Sequence, residues 1–152
     1  MTKRIDAPAV APKAYHAMLG LEGYVRQSGI EKRVLELVKL RASYINGCAY
    51  CVDMHSKDAR AGGETEQRIY SVPVWRETPY YTPRERAALE WSEVVTTLGA
   101  HGVPDSAFAS VREHFSEIEI VNLTMAIVAI NGWNRLAVAL GADVGSYQVP
   151  AE

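Results

Sequence analysis

Apolar side chains recur every three to four residues along most of this chain, the period of helices that bury one face. Pro12 to Val25 carries Tyr15, Met18 and Leu21 at that spacing, and Ser28-Gly29 supplies a stop. From Ile30 to Ile45, the residues Val34, Leu35, Leu37, Val38, Leu40, Ala42 and Ile45 form a broad apolar face and leave a narrow polar strip. Asn46-Gly47 interrupts the pattern, because asparagine can cap a following helix and glycine tolerates turn geometry. A third helix is expected from Cys48 to Ala61, stopping at Gly62-Gly63.

Thr65 to Tyr70 suits a short helix. Val72-Pro73-Val74-Trp75 and Thr78-Pro79-Tyr80-Tyr81 read as a packed connecting loop with aromatic anchors. Thr82-Pro83-Arg84-Glu85 combines a capping threonine, a first-turn proline and a capping-box glutamate, which predicts a helix to about Thr97. Another runs from Pro104 to His114. Ser116 then opens the longest pattern, through Ile120, Ile127, Ile130, Ala137 and Leu140 to Gly141. Between Leu123 and Leu140 only Arg135 ionises, so this helix belongs at the centre of the molecule or at a subunit interface. The expected class is all-α, and 152 residues form one domain, 1–152, with its core at about 12–140.

Charge excludes more than it suggests. A formal net charge of -2 gives no reason to expect nucleic acid or an anionic membrane as partner. The N-terminal segment has no apolar run of signal-peptide length, and the most apolar stretch, Met125 to Ile130, is far shorter than the ~20 residues of a membrane span. A cytoplasmic protein is therefore expected.

Two cysteines are too few for a disulfide scaffold, but Cys48 and Cys51 are separated by two residues, the spacing of a reactive pair or of half a metal site. On a helix, Cys48, Cys51, Val52, His55 and Ala59 share one side. Unpaired amides and the helix dipole stabilise a thiolate in a first turn, and an imidazole one turn later can take its proton. A redox pair, a zinc site and buried structural thiols all remain open on spacing. Zinc lacks a fourth ligand, since His16, His101 and His114 have no identifying spacing and Asp53 points off the shared face. Glu36, four residues after Lys32, reads on spacing as half of an exposed ion pair. Tyr24, Tyr44, Phe108, Phe115 and Trp91 fit either a pocket lining or ordinary core.

The segment Leu40-Arg41-Ala42-Ser43-Tyr44-Ile45-Asn46-Gly47-Cys48-Ala49-Tyr50-Cys51-Val52-Asp53-Met54-His55-Ser56-Lys57-Asp58-Ala59-Arg60 resembles the alkylhydroperoxidase AhpD-like branch of the carboxymuconolactone decarboxylase family. Asn122-Leu123-Thr124 and Ile130-Asn131-Gly132-Trp133-Asn134-Arg135-Leu136-Ala137 resemble the C-terminal helix of its small members, and the likeness covers about 12–140. The resemblance implies an all-helical fold, a homotrimer or homohexamer, and an enzyme with alkylhydroperoxidase (peroxiredoxin-type) activity that reduces hydrogen peroxide or organic hydroperoxides. It implies no cofactor and no metal. Cys51 would meet the peroxide, Cys48 would resolve it, His55 would move protons, and Glu36 would be the acidic partner of His55. Tyr50 stands where the best-known peroxidase member has a histidine; it is a possible accessory residue but a poor proton acceptor. The external dithiol reductant would be a lipoyl domain or a thioredoxin-like protein. The alternatives are a non-enzymatic thiol redox sensor or interaction protein, and a carboxymuconolactone decarboxylase-like enzyme, although decarboxylase members generally lack the paired cysteines.

Overall fold

The computed structural model describes residues 3–150, and among these every regular element is helical. Eight α-helices follow in order: α1 (Ala7–Val10), α2 (Pro12–Arg26), α3 (Lys32–Ile45), α4 (Ala49–Ala61), α5 (Glu66–Ser71), α6 (Pro83–Thr96), α7 (Asp105–His114) and α8 (Glu117–Leu140). A 3-10 helix, Val72–Glu77, lies where the sequence reads as loop, with non-helical backbone at Val74. The short α1 is unforeseen; Asp6 caps it and Pro8 sits in its first turn.

The expected start signals are realised as built contacts. Thr82 and Glu85 form a reciprocal capping box at α6, as do Ser116 and Glu119 at α8. Gly141 ends α8 in the left-handed conformation, φ 76°, where a side chain would be strained. Arg4 and Ile5 supply further donors there, their amides bonding the Leu140 carbonyl at 2.9 and 3.2 Å.

The main core joins α3, α6 and α8 through residues such as Val38, Leu123, Ala126 and Ile127, all fully buried. A second cluster under α5 and the 3-10 helix takes in Trp75 and Tyr81. Two of the three loop aromatics are thus anchors within their own chain, while Tyr80 stays partly exposed. By length and composition α8, at 24 residues, could cross a membrane. Its position explains that apolarity differently, because α8 packs against α2, α3 and α6, the setting of a central helix. Its outer side leaves Ile118, Val121 and Val128 exposed.

Candidate functional site

The α3–α4 turn places the thiols. Asn46 is the C-cap of α3 and does not cap α4, contrary to the sequence expectation; Cys48 itself is the N-cap, in extended backbone. Its sulfur accepts the Cys51 amide at 3.4 Å, the role a serine or aspartate oxygen usually fills. Gly47, at φ 64°, makes the reversal that delivers Cys48 to this position. Both cysteines are free, and their sulfur atoms lie 2.8 Å apart.

At that distance the two thiols are coupled, and their acidities are driven apart. Cys48 is held down to about 6, first by the Cys51 thiol, then by the Cys51 amide, Asn134 and His55, all against the opposing effect of burial. Cys51 is pushed up, because its proton is bound to Cys48, because it is buried, and because the Cys48 charge lies beside it. The backbone amide is what breaks the symmetry of the pair, since it bonds Cys48 alone.

His55 lies one turn beyond Cys51, and its Nδ1 is 2.8 Å from Glu36 Oε2 on α3. Both side chains are buried, so the exposed Lys32–Glu36 pair that spacing suggests does not form; Glu36 faces α4 instead of water. A carboxylate on Nδ1 favours the Nδ1–H tautomer and leaves Nε2 as an acceptor. Asp53, as expected, is turned away and pairs with Lys57 at 2.8 Å.

A cavity of about 990 Å³ opens over this face of α3 and α4. Cys51, His55, Glu36 and Tyr50 reach it, whereas Cys48 does not. Its apolar wall includes Tyr15 of α2 and Trp133 of α8, stacked edge to face with centroids 5.2 Å apart. Burial raises Tyr50, so its phenol stays protonated near neutral pH and can hydrogen-bond a substrate but not serve it as a phenolate base. None of Tyr24, Tyr44, Phe108, Phe115 or Trp91 lines the cavity. Trp91 and Phe115 belong to the core, and Tyr24 and Phe108 are exposed.

Three polar residues of the cavity carry no sequence motif. Lys39, 3% exposed, donates to Glu22 Oε1 at 2.5 Å across α3 and α2. Asp58 accepts the Tyr147 phenol at 2.7 Å, and Lys57 donates to the Tyr147 carbonyl at 3.0 Å, which ties the C-terminal segment across α4. Each partner is distant in sequence, and only a buried charge in an apolar face could have hinted at Lys39. Ligand atoms of Glu36, His55 and Asp58 lie within 4.8 Å of one another, close enough to hold a divalent cation. That set excludes both thiols, so the zinc reading through Cys48, Cys51 and His55 gains nothing from it.

Residues 12–93 match the model of the carboxymuconolactone decarboxylase family. The chain is 45% identical to the uncharacterised protein YdfG of Bacillus subtilis over 146 residues, 96% of this chain and 99% of that one. It is 38% identical over 48 residues to the alkyl hydroperoxide reductase AhpD of Gluconacetobacter diazotrophicus, covering 32% of this chain and 26% of the other. A solved structure from Agrobacterium tumefaciens, ATU0492, a protein of unknown function suggested to be the antioxidant defence protein AhpD, superimposes with a TM-score of 0.92. The identity there is 49%, with coverage of 99% and 100% of the two chains. With its helical fold and the matched segment spanning the paired cysteines, the chain belongs to the carboxymuconolactone decarboxylase family.

Proposed function

We propose that this protein is a thiol peroxidase in which Cys51 reduces a hydroperoxide and Cys48 resolves the product. The observation that carries this reading is a pair of free thiols 2.8 Å apart, one acidified, with the other at the wall of a large cavity beside a buried His55–Glu36 pair. A cavity of about 990 Å³ is far more than hydrogen peroxide occupies, which favours an organic hydroperoxide as substrate.

The two thiols divide the work by access and acidity. Cys48 is the stronger acid but is walled off from the cavity, so in the resting pair it is the thiolate beside a protonated Cys51. When a hydroperoxide reaches Cys51, the Cys51 proton passes to His55, and the Cys51 thiolate attacks the terminal peroxide oxygen. The O–O bond breaks, Cys51 becomes a sulfenic acid, and the departing alkoxide leaves as an alcohol with the proton from His55. The Cys48 thiolate then displaces hydroxide, which takes a proton from solvent, and the disulfide forms. An external dithiol returns the pair to the reduced state by two exchanges and is itself oxidised to a disulfide. A lipoyl domain or thioredoxin-like protein would supply it, and a pair that cycles through free thiols suits the reducing cytoplasm.

The test exposes wild type, Cys48→Ser and Cys51→Ser to an organic hydroperoxide with a synthetic dithiol, trapping sulfenic acid. Sulfenic acid that persists on Cys51 in Cys48→Ser, with peroxide consumption largely lost in Cys51→Ser, is the expected result. Rapid sulfenic acid on Cys48 with an inert Cys51 would reverse the roles. Oxidation of one equivalent of wild type without turnover would replace the enzyme by a stoichiometric redox sensor.

A further inference from the structure

Helix α8 is almost wholly apolar where it crosses the core, yet it buries Asn134 at 1% exposure. A carboxamide in that position costs a few kcal/mol unless its groups are bonded. Asn134 Oδ1 accepts Asn46 Nδ2 at 2.9 Å, and Asn134 Nδ2 donates to Ser43 Oγ at 3.0 Å. Asn46 Nδ2 also reaches Asn131 Oδ1 at 2.9 Å, one turn earlier on α8. The Ser43 carbonyl in turn accepts the Cys48 amide at 3.0 Å. A single side chain of α8 therefore holds Ser43 and Asn46, the residues that lead into the turn carrying Cys48 to the cap of α4.

The same side chain lies on the face of α8 that meets the thiols. Its α8 neighbours Ile130, Trp133 and Ala137 pack in one cluster with Cys48 and Cys51. After Ser43 is served, the carboxamide nitrogen has one N–H left for the pair. We infer that Asn134 is a positioning residue for the thiol pair, clamping through Ser43 and Asn46 the turn that sets Cys48 at the cap of α4. The inference rests on the pair being the reactive group of the proposed peroxidase. Donation from Asn134 acts to hold both thiols down, in keeping with that placement. The other titratable groups around the pair are His55 and Tyr50 on α4, Glu36 on α3 and Tyr15 on α2. Within that cluster α8 brings no charge: Arg135 turns away to bond Asn131.

The test is the pH titration of the reduced pair, followed by thiolate ultraviolet absorbance and by the alkylation rate. Neither readout needs a peroxide, so the outcome is separate from whether hydroperoxides are turned over. Asn134→Asp keeps an acceptor for Asn46 but replaces the amide donor with a carboxylate. Its Cys48 titration should rise by about one pH unit, a ~10-fold loss of alkylation rate below the wild-type midpoint that is recovered at alkaline pH. Asn46→Ala breaks the clamp and leaves Asn134 in place, and should move the midpoint the same way by less. Asn131→Leu also cuts a bond to Asn46 but removes no group facing the thiols, and should lower thermal stability without moving the midpoint. If Asn134→Asp does not fold, Asn134→Ser and Asn46→Ala carry the same test. Unmoved midpoints in the folded Asn134 and Asn46 variants, or an equal shift in Asn131→Leu, would overturn the inference.

Discussion

Replacing Glu22 by glutamine would leave Lys39 almost wholly out of water, 3% exposed, with its one hydrogen-bonded partner neutralised. At a separation of 2.5 Å and an effective dielectric of ~20, the gross attraction is about 6–7 kcal/mol, most of it offset by the cost of desolvating both ions. The single change removes the attraction but not the buried ammonium, so Glu22→Gln should cost about 3–5 kcal/mol. Lys39→Met should cost less, because Glu22 retains Arg26 at 3.4 Å. The double variant has no buried lysine to strand and should return to within ~1 kcal/mol of wild type. Urea unfolding of all four proteins at neutral pH gives the cycle. The pH dependence has a fixed sign: burial works to raise Glu22, but Lys39 overcomes it and the carboxyl lies below its ordinary 4.5. The contribution of the pair is therefore complete above that ordinary value and lost as pH falls through the lower folded one. Additive single costs, or a Glu22→Gln variant within ~1 kcal/mol of wild type, would refute the picture of a mutually dependent buried pair.

Two further outcomes test the site and the assembly. His55→Ala should slow the first oxidation of Cys51 by ~10²-fold in stopped-flow mixing with hydroperoxide while leaving the disulfide able to form. An unchanged rate would leave His55 as a packing residue. Light scattering at low micromolar concentration should give a multiple of 16.8 kDa, a trimer or hexamer, with the exposed Ile118, Val121 and Val128 of α8 available to cover a second copy. A monomer mass independent of dilution would exclude this.

Helices α2 to α8 were legible because each has several turns of apolar period or a capping signature, and their boundaries depend on local chemistry. The segment Val72–Glu77 was not, since its prolines and β-branched residues argue for a loop and only packing of Trp75 into the second cluster winds it into a 3-10 turn. Within the site, Cys48, Cys51 and His55 could be placed together because one helix carries all three. Glu36 needed the family resemblance, for its polar strip could face either water or α4, and sequence spacing does not distinguish the two. Lys39, Asp58, Tyr147 and the Asn134–Asn46 contact lie beyond any local pattern. Their partners are 17 to 91 residues apart, and only the crossing of separate helices and the C-terminal segment brings them together.

In the proposed cycle, the sulfur that caps α4 is also a sulfur consumed on oxidation. A thiolate at a helix N-terminus accepts an amide hydrogen bond and answers the positive end of the dipole, whereas a disulfide sulfur carries no charge and accepts weakly. Reduction and helix capping are thus linked equilibria: whatever stabilises the first turn of α4 stabilises the dithiol over the disulfide, and oxidation in return loosens that turn. If the pair cycles as proposed, its redox state would be read as amide exchange at Tyr50 and Cys51, which should be slower in the reduced form. The same linkage makes the disulfide a comparatively ready electron acceptor, the property a pair needs if it is to be reset after each encounter with an oxidant.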